Sequence, residues 1–312
     1  MNKTVVVMST YCGEKYLHQQ IMSIFDQHDT DVYLMVRDDA SKDNTAEILD
    51  KIQRQHPDHM LWYSGKNLGV GNSFMDCLYT ACEQFSDADY YAFADQDDVW
   101  LDSKLSRGIK FLKNTQSSKA LYASNQIVTD GELNRQGLRF DYTPDLGYGQ
   151  ILRGNEISGC TFLMTSELAH FLAAEENRPS RELLRSRIHD VWVAEVASLF
   201  GKTIYDPEGF ILYRQHGDNL VGALERNIPA MMIRRIKNLF SSDVSDGSIQ
   251  MADELLKLFG NQLGEKEENI RQYSRYRKEL KAKRAVMRNG VVFQHSSESN
   301  MKYLLRTLFN KL

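Results

Sequence analysis

Short apolar runs alternate with longer stretches of helical spacing through the first hundred residues. The short runs are rich in β-branched and aromatic side chains, which is typical of buried strands. They cover residues 5–8, 32–36, 60–63 and 90–94. Apolar residues recur every three or four positions over 14–25, from about 43 and after 71, which predicts helices in those segments. This alternation predicts an α/β fold in which crossover helices join the strands of a mostly parallel sheet.

Polar residues immediately follow three of the predicted strands. They are Thr10 and Tyr11 after the first strand, Asp38 and Asp39 after the second, and residues 95–98 after the fourth. Each group alone is compatible with helix capping or packing. Together they predict a nucleotide site, since the carboxyl ends of parallel strands share one edge of a sheet. In such a site Tyr11 would lie against the base, and Asp39 would accept from a base or ribose hydroxyl.

The segment Asp95-Gln96-Asp97-Asp98 places three carboxylates within four residues. Asp95 and Asp97 leave the same face of an extended chain, and carboxylates held that close repel each other unless a proton or a cation lies between them. Mg²⁺ or Mn²⁺ fits this position, because both ions prefer oxygen ligands and keep coordination sites for substrate phosphates. The alternative interpretation is a solvated acidic turn that caps the next helix.

Composition limits the classes of protein to consider. The chain has 312 residues, of which 42% are hydrophobic, enough for one large domain or one domain with an appendage. No run reaches the roughly 18 apolar residues of a membrane span, and the N-terminus lacks a signal-peptide pattern. The four cysteines have neither zinc nor redox spacing. These features predict a protein of the reducing cytoplasm.

Charge divides the chain near residue 222. Residues 1–222 hold 21 basic and 32 acidic side chains, a balance of −11, whereas residues 223–312 hold 17 and 10, a balance of +7. The basic part also shows amphipathic helical spacing, with Ile228, Met232 and Ile236 on one face. We therefore predict a catalytic domain over 1–222 and a basic amphipathic helical extension over 223–312.

Two roles for the predicted extension stay open. Basic amphipathic helices lie on anionic membrane surfaces, which would hold the protein peripherally at the inner face of the cell membrane. Alternatively, the extension packs on the catalytic domain or forms a homo-oligomer. Nucleic-acid binding fits less well, because the larger domain is acidic and contains no binding motif.

Four motifs follow one another in the first hundred residues: STYCGEKYL, VRDDASKDNT, GKNLGVGNSF and FADQDDVW. In this order they resemble the family-2 glycosyltransferases of GT-A fold. Residues 157–165 and 189–222 are similar to the bacterial rhamnosyltransferase branch, which builds rhamnose-containing cell-wall polysaccharide or O-antigen. The resemblance covers about residues 3–222 and implies a Rossmann-like, mostly parallel sheet flanked by helices.

The resemblance also implies roles for the residues that match the family's motifs. The nucleotide-sugar contacts would be Thr10, Tyr11, Glu14, Asp39, Asn67, Asp95 and Asp98. Within this set, Asp98 would border the sugar or the acceptor. The metal set would be Asp95, Asp97 and His216. For His216, a hydrogen-bonded loop histidine is the alternative interpretation.

Asp190 matches the position of the family's catalytic base. An inverting transfer needs a group that takes the proton of the acceptor hydroxyl as its oxygen attacks the anomeric carbon. Asp190 lies near the start of a predicted helix, where plain N-capping is the alternative. The family commonly has Glu-Asp here, so His189 departs from the general pattern but fits the rhamnosyltransferase branch.

The expected function is a metal-dependent inverting transfer from a nucleoside-diphosphate sugar, with dTDP-L-rhamnose favoured, onto a lipid-linked or polysaccharide acceptor. A hexosyl- or N-acetylhexosaminyltransferase that uses a UDP-sugar stays open. A catalytically idle nucleotide- or glycan-binding scaffold is disfavoured, because Asp39, Asp95, Asp97 and Asp190 are all present.

Overall fold

A single mixed sheet organises the molecule. The computed structural model describes residues 1–215 and 243–312, and within them nine strands follow the order β3-β2-β1-β4-β8-β6-β9-β5, with β7 paired to β6. The strands are β1 Asn2–Thr10, β2 Thr30–Asp38, β3 Met60–Ser64, β4 Tyr90–Ala94, β5 Val99–Trp100, β6 Ala120–Thr129, β7 Arg135–Leu138, β8 Leu163–Thr165 and β9 Lys202–Arg214. The four apolar runs that predict strands coincide with β1 to β4.

Helices cover both faces of this sheet and continue beyond it. In residues 1–215, the described part of the predicted catalytic domain and called the catalytic part below, they are α1 Leu17–Phe25, α2 Thr45–Gln55, α3 Val70–Gln84, α4 Lys104–Lys113, α5 Tyr148–Arg153, α6 Ser166–Ala173, α7 Leu183–Ser186 and α8 His189–Phe200. In the extension they are α9 Asp243–Phe259, α10 Lys266–Arg275, α11 Leu280–Arg288, α12 Gly290–Phe293 and α13 Asn300–Leu308. The first helix begins at Leu17 rather than at residue 14, because the Gly13 carbonyl accepts from the Tyr16 and Leu17 amides in a tight turn.

β1 lies at the centre of the parallel half of the sheet. It pairs in parallel with β2 on one side and β4 on the other, and β2 pairs in parallel with β3. Thr10 is level with Asp38, and Met8 is level with Ala94. The polar residues after these three strands therefore meet at one edge, as the pattern of strand ends predicts.

The other half of the sheet is mostly antiparallel. β8 runs antiparallel to both β4 and β6, and β9 runs parallel to β6 and antiparallel to β5. At the end of β9, the Arg214 amide donates to Asp98 Oδ1 at 3.2 Å. The thirteen-residue β9 thereby supports the acidic segment that follows β4.

The C-terminal helices pack on the catalytic part and share its core. Met251, Tyr273 and Phe293 of the extension belong to one hydrophobic cluster with Leu152 and Trp192 of the catalytic part. Because apolar side chains of both parts are buried against one another, the extension is part of the fold rather than a separate appendage. The predicted boundary at residue 222, the helical face over 228–240 and His216 all lie outside the described residues. In the part of the chain described, the helices are too short or too polar to cross a bilayer.

Candidate active site

A cavity of about 700 Å³ opens at the carboxyl edge of the parallel strands. Six residues singled out from the sequence line it: Tyr11, Asp39, Asn67, Asp95, Asp97 and Asp190. Three further segments complete the wall, namely Arg139 after β7, residues 155–160, and His189 at the start of α8. A cavity of this size accommodates a substrate of nucleotide dimensions.

Gln96 joins the first strand loop to the acidic segment. Its Oε1 accepts from Thr10 Oγ1 at 2.6 Å and from the Tyr11 amide at 2.9 Å, while its Nε2 donates to the Tyr11 carbonyl at 3.2 Å. A Cβ on Gly13 would lie 2.7 Å from both Gln96 Oε1 and Thr10 Oγ1, which explains the glycine. These bonds leave the Tyr11 ring exposed at the cavity.

Asp39 organises the loop between β3 and α3. Its carboxylate accepts from the Leu68 amide at 2.8 Å and the Gly69 amide at 3.0 Å, and it also pairs with Arg37. Asn67 donates from Nδ2 to the Asp39 carbonyl at 3.0 Å. Since each carboxylate oxygen has two lone pairs, a ligand hydroxyl remains a possible further donor. Asp39 therefore holds the loop between β3 and α3 in place as one wall of the cavity.

The acidic segment after β4 brings the carboxylates of Asp95, Asp97 and Asp98 close enough to affect one another. Burial, followed by the charges of Asp97 and Asp190, raises the pKa of Asp95 to about 7. Asp98 lies beneath it with no exposed surface, and burial together with the charges of Asp95 and Asp97 raises the pKa of Asp98 well above its ordinary value. Lys104 lies below them, and burial lowers the pKa of its ammonium group to about 7.

This segment fits a hard divalent cation. Carboxylate oxygens dominate the donor set, and oxygen atoms of Asp95 and Asp98 lie within 4.8 Å of each other and of Cys160 Sγ. Among the described residues, Asp98 Oδ2 is buried without a hydrogen-bond partner. A cation bound by Asp95 would offset the repulsion among these carboxylates. The group within 4.8 Å consists of Asp95, Asp98 and Cys160 and does not include Asp97, the other ligand that the sequence predicts.

Asp190 faces the acidic segment from the first turn of α8. Burial raises its pKa to about 6, and the amides of Val191 and Gly159 partly oppose that shift by donating to the carboxylate. The Val191 bond measures 2.7 Å. Gly159 is needed because a Cβ there would lie 2.7 Å from His189 Nε2 and 3.1 Å from Asp190 Cβ. The 157–165 motif thus supports the α8 motif directly.

His189 belongs largely to the core. Its ring stacks on Phe74 with centroids 3.9 Å apart and meets the Phe93 ring edge-on at 5.1 Å. Burial lowers its pKa to about 3, so the imidazole is neutral at physiological pH. A base that weak is a poor acceptor for a hydroxyl proton, which leaves Asp190 as the better-matched group.

Three predicted site residues within the described part of the chain do not line the cavity, and a fourth cannot be placed there. The Glu14 carboxylate turns away and accepts from the Asn44 amide and side chain, at 3.0 and 2.9 Å, beside the start of α2. Thr10 is buried and acts through Gln96. Asp98 is buried under Asp95, which separates it from any sugar in the cavity. His216 lies outside the described residues.

The sequence motifs identify neither Gln96 nor Arg139 as a site residue. The Arg139 guanidinium lines the cavity and donates from NH1 to Gln126 Oε1 at 2.6 Å and to the Ser158 hydroxyl. Its positive charge partly opposes the rise that burial causes in the pKa of Asp190. The only signal in the sequence was an arginine in a polar Gly- and Tyr-rich stretch, which does not indicate where the side chain lies.

Comparison with known proteins adds independent information. Residues 5–167 match the profile of Glycosyl transferase family 2. The dTDP-rhamnosyl transferase RfbG of Shigella flexneri is 29% identical over 230 residues, which cover 69% of this chain and 74% of that protein. The uncharacterized glycosyltransferase alr2836 of Nostoc sp. is 27% identical over 222 residues, 70% of this chain and 66% of that protein.

A solved structure supports the fold. TarS residues 1–349 of S. aureus, in complex with UDP-GlcNAc, align with a TM-score of 0.56 and 14% identity over 100% of this chain and 88% of that one. The expected GT-A architecture, a mostly parallel sheet flanked by helices, is confirmed. The matching profile spans more than half of the chain, which therefore belongs to Glycosyl transferase family 2.

Proposed function

We propose that this protein transfers L-rhamnose from dTDP-L-rhamnose, with inversion at the anomeric carbon, to a hydroxyl of a lipid-linked or polysaccharide acceptor. One observation carries the proposal: Asp190, with its pKa near 6, shares a cavity with Asp95 and Asp97. A base that is ionised at neutral pH thus lies beside a segment suited to a nucleoside-diphosphate sugar and its counter-ion.

The transfer is a single displacement. The Asp190 carboxylate takes the proton of the acceptor hydroxyl while the hydroxyl oxygen forms a bond to the anomeric carbon. The bond between that carbon and the diphosphate oxygen breaks, and its electron pair leaves with the nucleoside diphosphate. The proton ends on Asp190. Atoms and charge balance without any further reactant.

Asp95 and Asp97 would hold the divalent cation, Mn²⁺ or Mg²⁺, with His216 as a further proposed ligand. When bound, such a cation neutralises charge that develops on the departing diphosphate. On the protein's side, Tyr11 would lie against the base, and Asp39 and Asn67 would define the wall near the ribose. Arg139, whose guanidinium lines the same cavity, supplies a fixed positive charge for the diphosphate or the sugar.

The choice of donor rests on the likeness to RfbG, whose name specifies a dTDP-rhamnosyl transferase. The rival donor is a UDP-sugar, as in the TarS complex, and that likeness concerns the fold alone. Thermal shift with dTDP, dTDP-rhamnose, UDP and UDP-GlcNAc separates the two, because a ligand that binds only the native state raises its melting temperature. Stabilisation by UDP-GlcNAc but not by dTDP-rhamnose would reject the rhamnosyl assignment.

Turnover separates an enzyme from a binding scaffold. Incubation of the protein with dTDP-rhamnose, Mn²⁺ and a lipid-linked glycan acceptor should release dTDP. NMR of the product should show an anomeric configuration opposite to that of the donor. Retained configuration would contradict the single displacement. Tight donor binding with no turnover on any acceptor offered would favour the scaffold.

A further inference from the structure

The last helix presents an unusual surface. Met301, Leu304, Leu305 and Leu308 form one stripe of α13, and each side chain is between 37% and 67% exposed. Phe309, just beyond the helix, is 66% exposed. The opposite face buries Tyr303 and Thr307 against the protein. Nothing within residues 1–215 and 243–312 covers this stripe, and exposed apolar patches of this kind mark interaction sites.

Basic side chains adjoin the apolar stripe. Lys302 is exposed in the same helix, and Lys283 of α11 donates from Nζ to the Leu308 carbonyl at 3.1 Å, which places an ammonium at the end of the stripe. α11 packs on α13 through a bond from Tyr303 OH to the Val286 carbonyl at 2.5 Å. Its outward face carries Lys281, Arg284 and Arg288, all exposed.

The occupant of this surface must accept both apolar side chains and positive charge. A second copy of this chain fits poorly, because a two-fold interface would bring the two basic faces together. An anionic lipid bilayer satisfies both requirements, since acyl chains receive the apolar side chains and headgroups neutralise the cations.

We infer that α13, together with Phe309 and the basic face of α11, docks the protein on an anionic membrane surface. The helix lies in the plane of the interface and does not span the bilayer. This inference does not depend on which sugar is transferred, because the surface lies apart from the residues that line the cavity.

α12, which lies between α11 and α13 in the chain, contacts α5 of the catalytic part. Val291 of α12 is 94% exposed, and its carbonyl accepts from Gln150 Nε2 of α5 at 3.5 Å. The chain that leaves α5 then passes into Asn155 and Glu156, which line the cavity. If the proposed function holds, an acceptor anchored in the membrane would reach the cavity beside the surface that docks there.

Vesicle binding tests the inference directly. The full chain should co-sediment with vesicles of phosphatidylcholine and phosphatidylglycerol at 7:3, but not with pure phosphatidylcholine, and 0.5 M NaCl should weaken binding because surface charges are screened. Leu305→Glu/Leu308→Glu should lower the partition coefficient at least tenfold. The matched control is Leu138→Glu, a leucine 52% exposed on β7, which should bind like wild type.

Two further double variants test the contribution of the basic side chains to vesicle binding. Arg284→Gln/Arg288→Gln should reduce binding to the anionic vesicles by about thirtyfold, at roughly 1 kcal/mol for each charge. Lys110→Gln/Lys113→Gln removes two exposed charges from α4 and should change nothing. Equal losses in the two pairs would mean non-specific attraction and would overturn the assignment to this surface.

A variant that gains a fluorescence signal on docking distinguishes loss of binding from misfolding. Phe309→Trp should show blue-shifted emission with the anionic vesicles and quenching by brominated lipid, against the wild-type background from Trp62, Trp100 and Trp192. No shift and no co-sedimentation would reject membrane docking. Concentration-dependent dimerisation that Leu305→Glu/Leu308→Glu abolishes, without vesicle binding, would assign the surface to a second copy instead.

Discussion

The proposed role of Asp190 as catalytic base predicts that transfer depends on pH. Burial raises its pKa to about 6, and the proposed step requires the carboxylate form. The rate should therefore stay near its maximum above pH 7 and fall as pH drops through 6, approaching a tenfold loss per unit at lower pH. Initial rates at saturating donor and acceptor between pH 5 and 8 measure this limb. A flat profile across that range, with chemistry rate-limiting, would contradict the assignment.

Asp190→Asn separates catalysis from binding at the same position. It keeps the size of the side chain, so we expect turnover to fall by about 10² to 10⁴-fold while nucleotide affinity stays unchanged. His189→Phe is the matched neighbour, because a phenyl ring preserves the stacking on Phe74 and removes both ring nitrogens. A greater rate loss in His189→Phe than in Asp190→Asn, with melting temperatures intact, would make the histidine the base. Asp98 is not an alternative base, since it is fully buried and does not line the cavity.

Asp97 should affect binding as well as rate. If it ligates the cation, Asp97→Asn loosens the ion and weakens nucleoside-diphosphate binding, and chelation by EDTA abolishes transfer until Mn²⁺ or Mg²⁺ is restored. Calorimetric titration of the nucleotide with and without Mn²⁺ measures this coupling, and Asp190→Asn serves as the control with normal affinity. Full activity in EDTA would eliminate the proposed metal.

At the scale of elements, the loop between β3 and α3 depends on the carboxylate of Asp39, the residue that follows β2. Asp39→Asn retains a single acceptor oxygen, so the amide of Leu68 or Gly69 loses its hydrogen-bond partner. Arg37 also loses the negative charge with which it pairs. We expect a destabilisation of about 1 to 3 kcal/mol and a loss of donor affinity of about tenfold, equivalent to ~1.4 kcal/mol. Urea unfolding and calorimetry measure the two effects.

Asp76 provides the control for this loop. It also accepts from Arg37, at 2.9 Å from Nε, but it lies on α3 and does not line the cavity. Asp76→Asn should lower stability while leaving donor affinity unchanged. If both variants weaken the donor equally, Arg37 rather than the Asp39 loop contacts would govern that wall.

At the scale of the whole molecule, one buried ion pair joins the extension to the catalytic part. Arg153 NH1 lies 2.8 Å from Glu298 Oε2, and both side chains are almost fully buried. Glu298→Gln leaves the arginine charge buried without its counter-ion, which should cost about 3 to 5 kcal/mol in the free energy of unfolding. Arg306→Gln removes the outer, partly exposed partner of Glu298 at 3.5 Å and should cost less than about 1 kcal/mol. Similar unfolding curves for the two variants would show that the pair does not hold the extension.

The same packing changes how membrane binding must be tested. Removing the extension would uncover core residues such as Trp192, whose ring stacks on Phe259 of α9 with centroids 6.1 Å apart. A truncated chain would then fail for reasons unrelated to membranes. Point changes on the outer face of α13 avoid this ambiguity, because those side chains make no part of the core.

The sequence by itself determined the alternation of strands and helices in the catalytic part, the acidic segment after β4 and membership of the family. These features are encoded over short distances. Side-chain alternation, helical spacing and turn residues each act within a few positions, so β1 to β4 and the start of α8 at His189 follow from local patterns.

Only the tertiary structure decided which polar residues share the cavity. Gln96 bonds to Tyr11 across 85 positions, and Cys160 comes to lie beside Asp98, although neither contact has a signal near it in the sequence. Glu14 and Asp98 match family motifs, yet hydrogen bonds from Asn44, 30 positions away, turn Glu14 outward, and burial hides Asp98. The extension likewise showed amphipathic spacing, but spacing alone does not say what an apolar face will cover. That choice depends on surfaces distant in sequence, and here it places Tyr273 and Phe293 in the core and leaves the outer stripe of α13 exposed.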